Sequence, residues 1–460
     1  MNIINTNSKF KSNSFFFLNS AFFVLATLSI LGIYMVSDLE IYFSFIPLII
    51  SISIAIYMLR RSEFLYFEVS LIIFYILFFV VAPFYQIKNG LLPNTMPINI
   101  ELIMRANLYL TIFLLSYLFF RFNICRKRIT EFKFEIKYQK FIGFIMLFIF
   151  LFFLSLNLND IVIKIINKSD YMELNINNIK ELLMSKYIFF FPIFLLIFKV
   201  CNIRKSGNIS IKNFIEVIIL LLLIFIVKNP FVEKRNSIGP LYIAIGIFLF
   251  YNKRINIKRY FIFMFIIMII FFPLASTLTH SGGITNMGNR HFEFSMTTEF
   301  ISLNYDAWSN FMGTIDFVDI NGITYGKQLI GSVLFFIPRS LWISKPISTG
   351  ALIGNYLMGS YGMWFNNLSN PFPSEGYINF GLIGIVFFAF ILSSISRCVE
   401  IFIRSGGYLK FIGIYIATYM IFFMRGDLMN GFAYGMGFIA ATVFTPLALD
   451  NFIKSINRKE

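Results

Sequence analysis

The chain has 460 residues, of which 58% are hydrophobic, 19% aromatic and 13% charged, with a mean hydropathy of +0.76. Ordinary soluble domains carry roughly 25% charged residues, so the composition excludes a water-soluble globule. The 39 Lys and Arg against 23 Asp and Glu give a formal charge of +16, a surplus that in a soluble protein would suggest a nucleic-acid partner.

Apolar runs of about 17 to 22 residues recur along the chain, each long enough to cross a hydrocarbon core of about 30 Å as a helix. Unpaired backbone polar groups are too costly in lipid for any other open structure, and the runs are too long and too continuously apolar for barrel strands. The expected spans are 15–36, 40–59, 64–84, 101–120, 141–157, 186–201, 212–229, 237–251, 260–278, 379–396, 409–424 and 431–449. The first follows a weakly basic start, Lys9 and Lys11, with no small-residue cleavage site, and reads as a span rather than a signal peptide. The expected fold is all-α: a single integral membrane domain, 1–460, of about twelve transmembrane helices. One large loop, 279–378, is inserted between the ninth and tenth spans and contains short helices.

Lys and Arg near span ends stay on the cytoplasmic side. Arg60-Arg61, Arg126-Lys127-Arg128, Arg204-Lys205, Lys253-Arg254 and Arg397 with Arg404 all fall in connections on the side of the two termini. That side is expected to be cytoplasmic, which puts the large loop on the outer side of the membrane. The positive surplus is then topological, and a nucleic-acid partner has no support. Cys125, Cys201 and Cys398 lie on the same basic, reducing side, leaving no thiol outside to form a disulfide.

Two outer connections are long. The first, 158–185, carries Asp160, Asp170 and Glu173 and an amphipathic piece from Asn177 to Lys186 suited to a membrane surface. In the second, Phe300, Leu303, Ala307, Phe311, Met312 and Ile315 recur at helical spacing. Glu299, Ser302, Asp306, Ser309, Gly313 and Asp316 are interleaved, which predicts an amphipathic helix over 298–317 with an acidic stripe. Leu329 to Ile337 is apolar but too short to cross, so it dips into the interface or packs on the bundle. Glycines at 350, 354, 359 and 362 favour close backbone packing or irregular turns over a long stable helix.

Charge is scarce, so charge on the outer side is informative. Lys228, Lys234, Arg235, Arg339, Lys345 and Arg425 lie near span ends where basic residues are disfavoured. Such guanidinium groups can bind an anionic head group bidentately, or they can snorkel to phospholipid and pair with Glu233 and Asp427. Glu375, in Pro371-Phe-Pro-Ser-Glu, can cap the helix it opens. Alternatively it acts as a general base or orients a sugar hydroxyl, with Tyr377 and Asn379 as neighbouring donors. His280 and His291, the only histidines, stand eleven apart with no outer cysteine, a poor basis for a metal site, and His280 is kept as a single hydrogen-bonding or basic group. No GxxxxGK[ST] and no GxGxxG before a strand is present, so nucleotide-driven chemistry is not expected.

Pro338-Arg-Ser-Leu-Trp-Ile-Ser-Lys-Pro, then Pro373-Ser-Glu-Gly-Tyr-Ile-Asn-Phe-Gly, and later Arg425-Gly-Asp resemble bacterial oligosaccharide repeat-unit polymerases, the O-antigen polymerase (Wzy) family. Ten residues separate Arg339 from Gly350 and Arg235 from Gly246, similar to an arginine–glycine spacing of that family. The resemblance implies a membrane glycosyltransferase acting at the periplasmic face without metal, nucleotide or other cofactor. It moves a growing glycan from undecaprenyl pyrophosphate to a new lipid-linked repeat unit. It also implies partners: the undecaprenyl-pyrophosphate-linked oligosaccharides, the lipid bilayer, and a chain-length regulator and flippase of the same pathway. On this reading Arg235, Arg339 and Arg425, with Lys345, face the pyrophosphate. Glu375 is the base or acceptor-orienting group, Asp306 and His280 stand behind it, and Tyr377 and Asn379 contact substrate. The rival readings are an O-antigen ligase, which shares the donor but hands the glycan to lipid A, and a lipid-linked oligosaccharide flippase or other transporter. A transporter predicts charge deep within spans and paired broken helices.

Overall fold

The computed structural model describes residues 39–59, 64–124, 134–166, 179–207, 210–250, 256–271, 273 and 296–457. Among them no strand occurs, and the chain folds as helices. In order these are α1 (Leu39–Met58), α2 (Tyr66–Lys88), α3 (Ile100–Ile124), α4 (Gln139–Ser155), α5 (Leu158–Ile166) and α6 (Ile179–Lys186). Then come α7 (Phe191–Ser206), α8 (Ile211–Val227), α9 (Arg235–Phe250), α10 (Ile257–Ile266), α11 (Met296–Phe300) and α12 (Ala307–Asn321). The last are α13 (Lys327–Val333), α14 (Thr349–Tyr361), α15 (Phe372–Ser405), α16 (Gly407–Arg425) and α17 (Leu428–Ile456).

Seven helices among the described residues are long and apolar enough to cross a membrane, or eight if the pair α4 and α5, bent by 64°, is one span. The chain is thus an all-α, multi-pass membrane protein. Twelve spans were expected, and the difference lies in identifiable places. The expected first span and Cys125 fall outside the described residues. Helices α8 and α9 have 17 and 16 residues, about 25 Å of rise, and α10 gives way to a π turn over Ile267–Phe271. Helix α8 nevertheless exposes Ile211, Phe214, Ile218 and Leu222 along its length, and α4 exposes Phe141, Phe144 and Phe148, faces suited to hydrocarbon.

The bundle closes around α2, every residue of which from Tyr66 to Val81 is buried. A side chain as polar as Glu68 survives there only because its charge is matched. Arg121, at the far end of α3, donates Nε to Glu68 Oε1 at 2.6 Å and to Ser396 Oγ at 2.8 Å, and Nη2 to Glu400 Oε2 at 2.6 Å. Arg397 and Arg404 complete the group around Glu400, at 3.0 and 2.6 Å. These ions tie α2, α3 and α15 at one end of the bundle. Arg105 belongs to the other end: it lies about 24 Å back along α3 and pairs with Asp319 of α12.

The segment expected as one amphipathic helix over 298–317 is broken. A 3-10 turn over Leu303–Tyr305, capped by the Ser302 hydroxyl, separates α11 from α12, and Asp306 sits at the α12 N-cap position. The polar positions do not face water. Helix α12 is buried from Ala307 to Ile315, wedged among the spans, with the Trp308 indole donating to Asn107 Oδ1 of α3 at 3.0 Å. Gln86 Nε2 holds the turn by donating to the carbonyls of Phe300 and Tyr305 at 2.9 and 3.0 Å. Sequence periodicity identified the apolar half of this face but could not show that the polar half also finds protein partners.

Arg121→Ala should cost about 3–5 kcal/mol, because it leaves the buried Glu68 carboxylate without its cation, while Glu400 keeps Arg397 and Arg404. Thermal unfolding in detergent checks this; a variant as stable as the parent would show that the ion group does not hold these helices together.

Candidate functional site

Helix α15 opens with Phe372–Asn379 and then breaks. Phe380 and Gly381 leave helical geometry, with Gly381 at φ +62°. In a continuous helix residues eight apart are about 12 Å distant. Here a Cβ on Gly384 would lie 1.9 Å from the Gly376 carbonyl oxygen, so the chain turns sharply. The Ser-Glu-Gly-Tyr-Ile-Asn-Phe-Gly string is thus a short helix and a sharp bend ahead of a span. It places Glu375 inside the protein.

Three helix ends meet there. Glu375, fully buried, accepts from the Thr349 hydroxyl at 2.8 Å on Oε2 and from the Leu428 N–H at 3.2 Å on Oε1. Asp427 accepts from the Gly350 N–H at 2.8 Å on Oδ2 and caps α17 through the Asn430 N–H at 3.3 Å. The two carboxylates therefore share the N-termini of α14 and α17, where unpaired N–H groups and the helix dipole favour negative charge. Burial raises the Asp427 carboxyl above its ordinary value, while the N–H groups of Gly350 and Asn430 and the Ser348 side chain oppose the shift. Glu375 caps neighbouring helices rather than its own.

Arg425 ends α16, two residues before Asp427. Its Nη2 donates to the Leu303 carbonyl at 2.5 Å and to Asp306 Oδ1 at 3.1 Å. Asp306 also accepts from the Ser369 hydroxyl at 2.6 Å and, on its other oxygen, from Asn310 Nδ2 at 2.9 Å. Arg235, at the start of α9, donates Nη2 to Asn304 Oδ1, whose amide reaches Glu299 Oε2 at 2.9 Å. Arg235 is within electrostatic range of both Arg425 and the Glu299 carboxylate, and Arg425 Nε is buried with no hydrogen-bond partner among the described residues. An anionic ligand oxygen could accept from that N–H.

Ser369 and Asn370 join the two halves. Asn310 Nδ2 also donates to the Ser369 carbonyl at 2.8 Å, and Asn370 Oδ1 accepts from Thr314 and Ser374 at 3.0 and 2.8 Å. Arg235, Arg425, Asp306 and Glu375 are thereby gathered into one region. Asp427 and the small polar residues Asn304, Asn310, Thr349, Ser369 and Asn370 belong to it but were not singled out from sequence as site residues. Neutral amides and hydroxyls are common everywhere in a chain, so only the Asn370-Pro371 dipeptide offered a signal.

The other expected residues stand elsewhere. Arg339 is exposed and donates to the carbonyls of Lys345 and Pro346 at 2.8 and 3.2 Å, while Lys345 Nζ donates to those of Phe335 and Ile337 at 2.7 and 2.8 Å. The Tyr377 ring packs on Tyr109, and its hydroxyl is 3.4 Å from Arg105. Asn379 stitches α15 to α13, accepting from the Leu329 N–H at 3.1 Å and donating to the Glu375 carbonyl at 2.8 Å. Lys228 is buried, its Nζ on the Ser185 carbonyl and 4.1 Å from the Phe190 ring centroid. Lys186, half-buried and within electrostatic range of Lys234 and Asp427, adds a cation that the sequence reading passed over. His280 and His291 lie outside the described residues.

No family model, curated protein or solved structure matches this chain.

Glycine spacing in α14 gives a test of the site's packing. The glycines do not prevent a helix of 13 residues; two of them admit an extended strand of chain against it. A Cβ on Gly350 or Gly354 would lie 2.1 Å from the carbonyl oxygen of Leu368 or Asn366, whereas one on Gly359 meets nothing within 4 Å. Gly350→Ala and Gly354→Ala should each lower the melting temperature and the yield of folded protein. Gly359→Ala should be neutral or gain up to about 1 kcal/mol. Equal tolerance at all three positions would contradict the close approach.

Proposed function

We propose that this chain is a membrane glycosyltransferase that polymerises lipid-linked oligosaccharide repeat units. On this reading it transfers an undecaprenyl-pyrophosphate-linked glycan en bloc to a new lipid-linked unit at the periplasmic face of the inner membrane. The observation that carries the reading is that Arg235 and Arg425, 190 positions apart in sequence, come within electrostatic range of each other near Asp306 at the ends of apolar helices, with one buried guanidinium N–H unmatched among the described residues. A pyrophosphate fits that need. It brings concentrated negative charge to the edge of the bilayer, and donors already in place stabilise it as it departs.

In this account Arg235 and Arg425 bind the leaving pyrophosphate and Asp306 fixes the Arg425 fork. Glu375 already accepts from Thr349 and Leu428, so it serves to orient the helix ends that frame the acceptor. Arg339 and Lys345 take no part in this account, since their donors are engaged within their own loop. The donor carries its own activated leaving group, so the chemistry requires no nucleotide. The chain-length regulator and flippase follow from the same reading.

A transporter of lipid-linked oligosaccharide is the second reading. It is favoured by the buried charges Glu68, Arg121 and Glu400 and by the broken helices at α4–α5 and Gly381. Those charges pair closely with one another, which suits a fixed joint better than a carrier path.

The test is expression of Arg425→Ala and Arg235→Ala in a strain lacking the native gene, with the lipopolysaccharide resolved by length. A polymerase defect leaves single repeat units on the lipopolysaccharide, a ligase defect leaves none, and a flippase defect leaves the unit on its carrier inside the cell. Each variant should collapse the ladder to single units; full ladders from both, at parental abundance, would overturn the assignment.

A further inference from the structure

Helix α13 and the turn after it turn their apolar side chains outward. Ile330, Val333, Phe336, Leu341 and Ile343 are 53, 46, 65, 81 and 90% exposed. Lys345 of the same stretch is buried, and the donors of Lys345, Arg339 and Trp342 are matched within the loop. Lys345 Nζ and the Arg339 guanidinium together take four carbonyls of the loop, at 2.7 to 3.2 Å. The N–H groups of Leu341 and Trp342 both donate to the Pro338 carbonyl at 3.1 Å, and the Trp342 indole reaches Ser344 Oγ at 3.1 Å. A loop facing water is built the other way round, with its backbone solvated and its apolar groups covered.

Its position is set by α17. A Cβ on Gly331 would lie 2.3 Å from Pro346 and 3.5 Å from Met429, and the Phe335 and Phe432 rings meet edge to face with centroids 6.1 Å apart. Met429 and Phe432 belong to the first two turns of a span of 29 residues. Such a helix is about 43 Å long, longer than a hydrocarbon core of about 30 Å, and it follows directly on the charged Arg425 and Asp427, which favour an interfacial position for its first turns. The exposed apolar row therefore continues the surface of a membrane-crossing helix at the depth where headgroups give way to acyl chains.

We propose that residues 330–343 form an interfacial anchor inserted into the lipid bilayer, held in shape by Arg339 and Lys345. The partner is the headgroup–acyl boundary itself, where apolar side chains gain burial and an indole sits favourably between apolar and wet surroundings. This assignment is independent of the enzymatic reading. It also supplies a reason for two cations that the candidate site does not use.

Depth is measurable in the full-length protein. Ile343→Cys, in a background with Cys125, Cys201 and Cys398 replaced by Ser, is labelled with a nitroxide and reconstituted in phosphatidylethanolamine–phosphatidylglycerol vesicles. Collision with oxygen should exceed collision with a water-soluble nickel chelate several-fold relative to the free label in buffer. Nickel access like that of the free label would overturn the proposal. So would shielding from both reagents, the result expected if a second copy or another protein covers the row. Should the cysteine-free background fail to fold, Trp342→Phe in the otherwise natural chain serves instead. With lipids brominated near the glycerol backbone, it should lower the quenched fraction of tryptophan fluorescence, and an unchanged fraction would contradict insertion.

Discussion

The bond between Asp306 and Arg425 is the interaction on which the candidate site depends. Each is a buried charge at the edge of a hydrophobic bundle, where an unmatched ion is far costlier than in water. Asp306 belongs to the long connection and Arg425 to a span, so their pairing fixes where the connection enters the bundle. From that point α12 runs into the spans, Ser369 and Asn370 pack against it, and the short helix carrying Glu375 is held above its span. The segment from 296 to 371 is therefore packed into the helical bundle rather than laid over it.

Charge is used in three ways in this chain. The group around Arg121 closes on itself: the donors of Arg121, Arg397 and Arg404 all find Glu68 or Glu400. Arg339 and Lys345 are spent on backbone carbonyls of one turn. Around Arg235 and Arg425 the carboxylates of Glu299 and Asp306 are nearby, but one buried N–H of Arg425 has no partner among the described residues. Structural ions are complete without a ligand, and incompleteness separates a binding arrangement from a joint.

Much of the architecture was legible because hydrocarbon imposes a length and a composition on every crossing helix, and eight of the twelve expected runs correspond to span-like helices when the bent pair is joined. The grouping of Arg235, Arg425, Asp306 and Glu375 was also approachable, since each stood out as charge in an apolar chain. Their exact partners were not. Arg425-Gly-Asp looks like a local tripeptide, yet Arg425 bonds Asp306 and Asp427 bonds Gly350, both far away in sequence. Periodicity likewise could not show that Glu375 would cap α17 instead of α15, because that depends on the turn at Phe380–Gly381. Arg339 carried the same sequence signal as Arg425, and only the fold distinguishes a cation bonded to its own loop from one facing another.

The central claim is that Arg235 and Arg425 together form a seat for a lipid-borne pyrophosphate. The most direct measurement is the affinity of the purified, reconstituted protein for undecaprenyl pyrophosphate, compared with the Arg425→Gln variant and with Arg339→Gln. A charge-assisted hydrogen bond contributes about 1.5–3 kcal/mol, so the Arg425 change should weaken binding by roughly tenfold or more while the Arg339 change leaves it near parental. Equal affinity in the parent and the Arg425→Gln protein, with fold and abundance intact, would contradict the account.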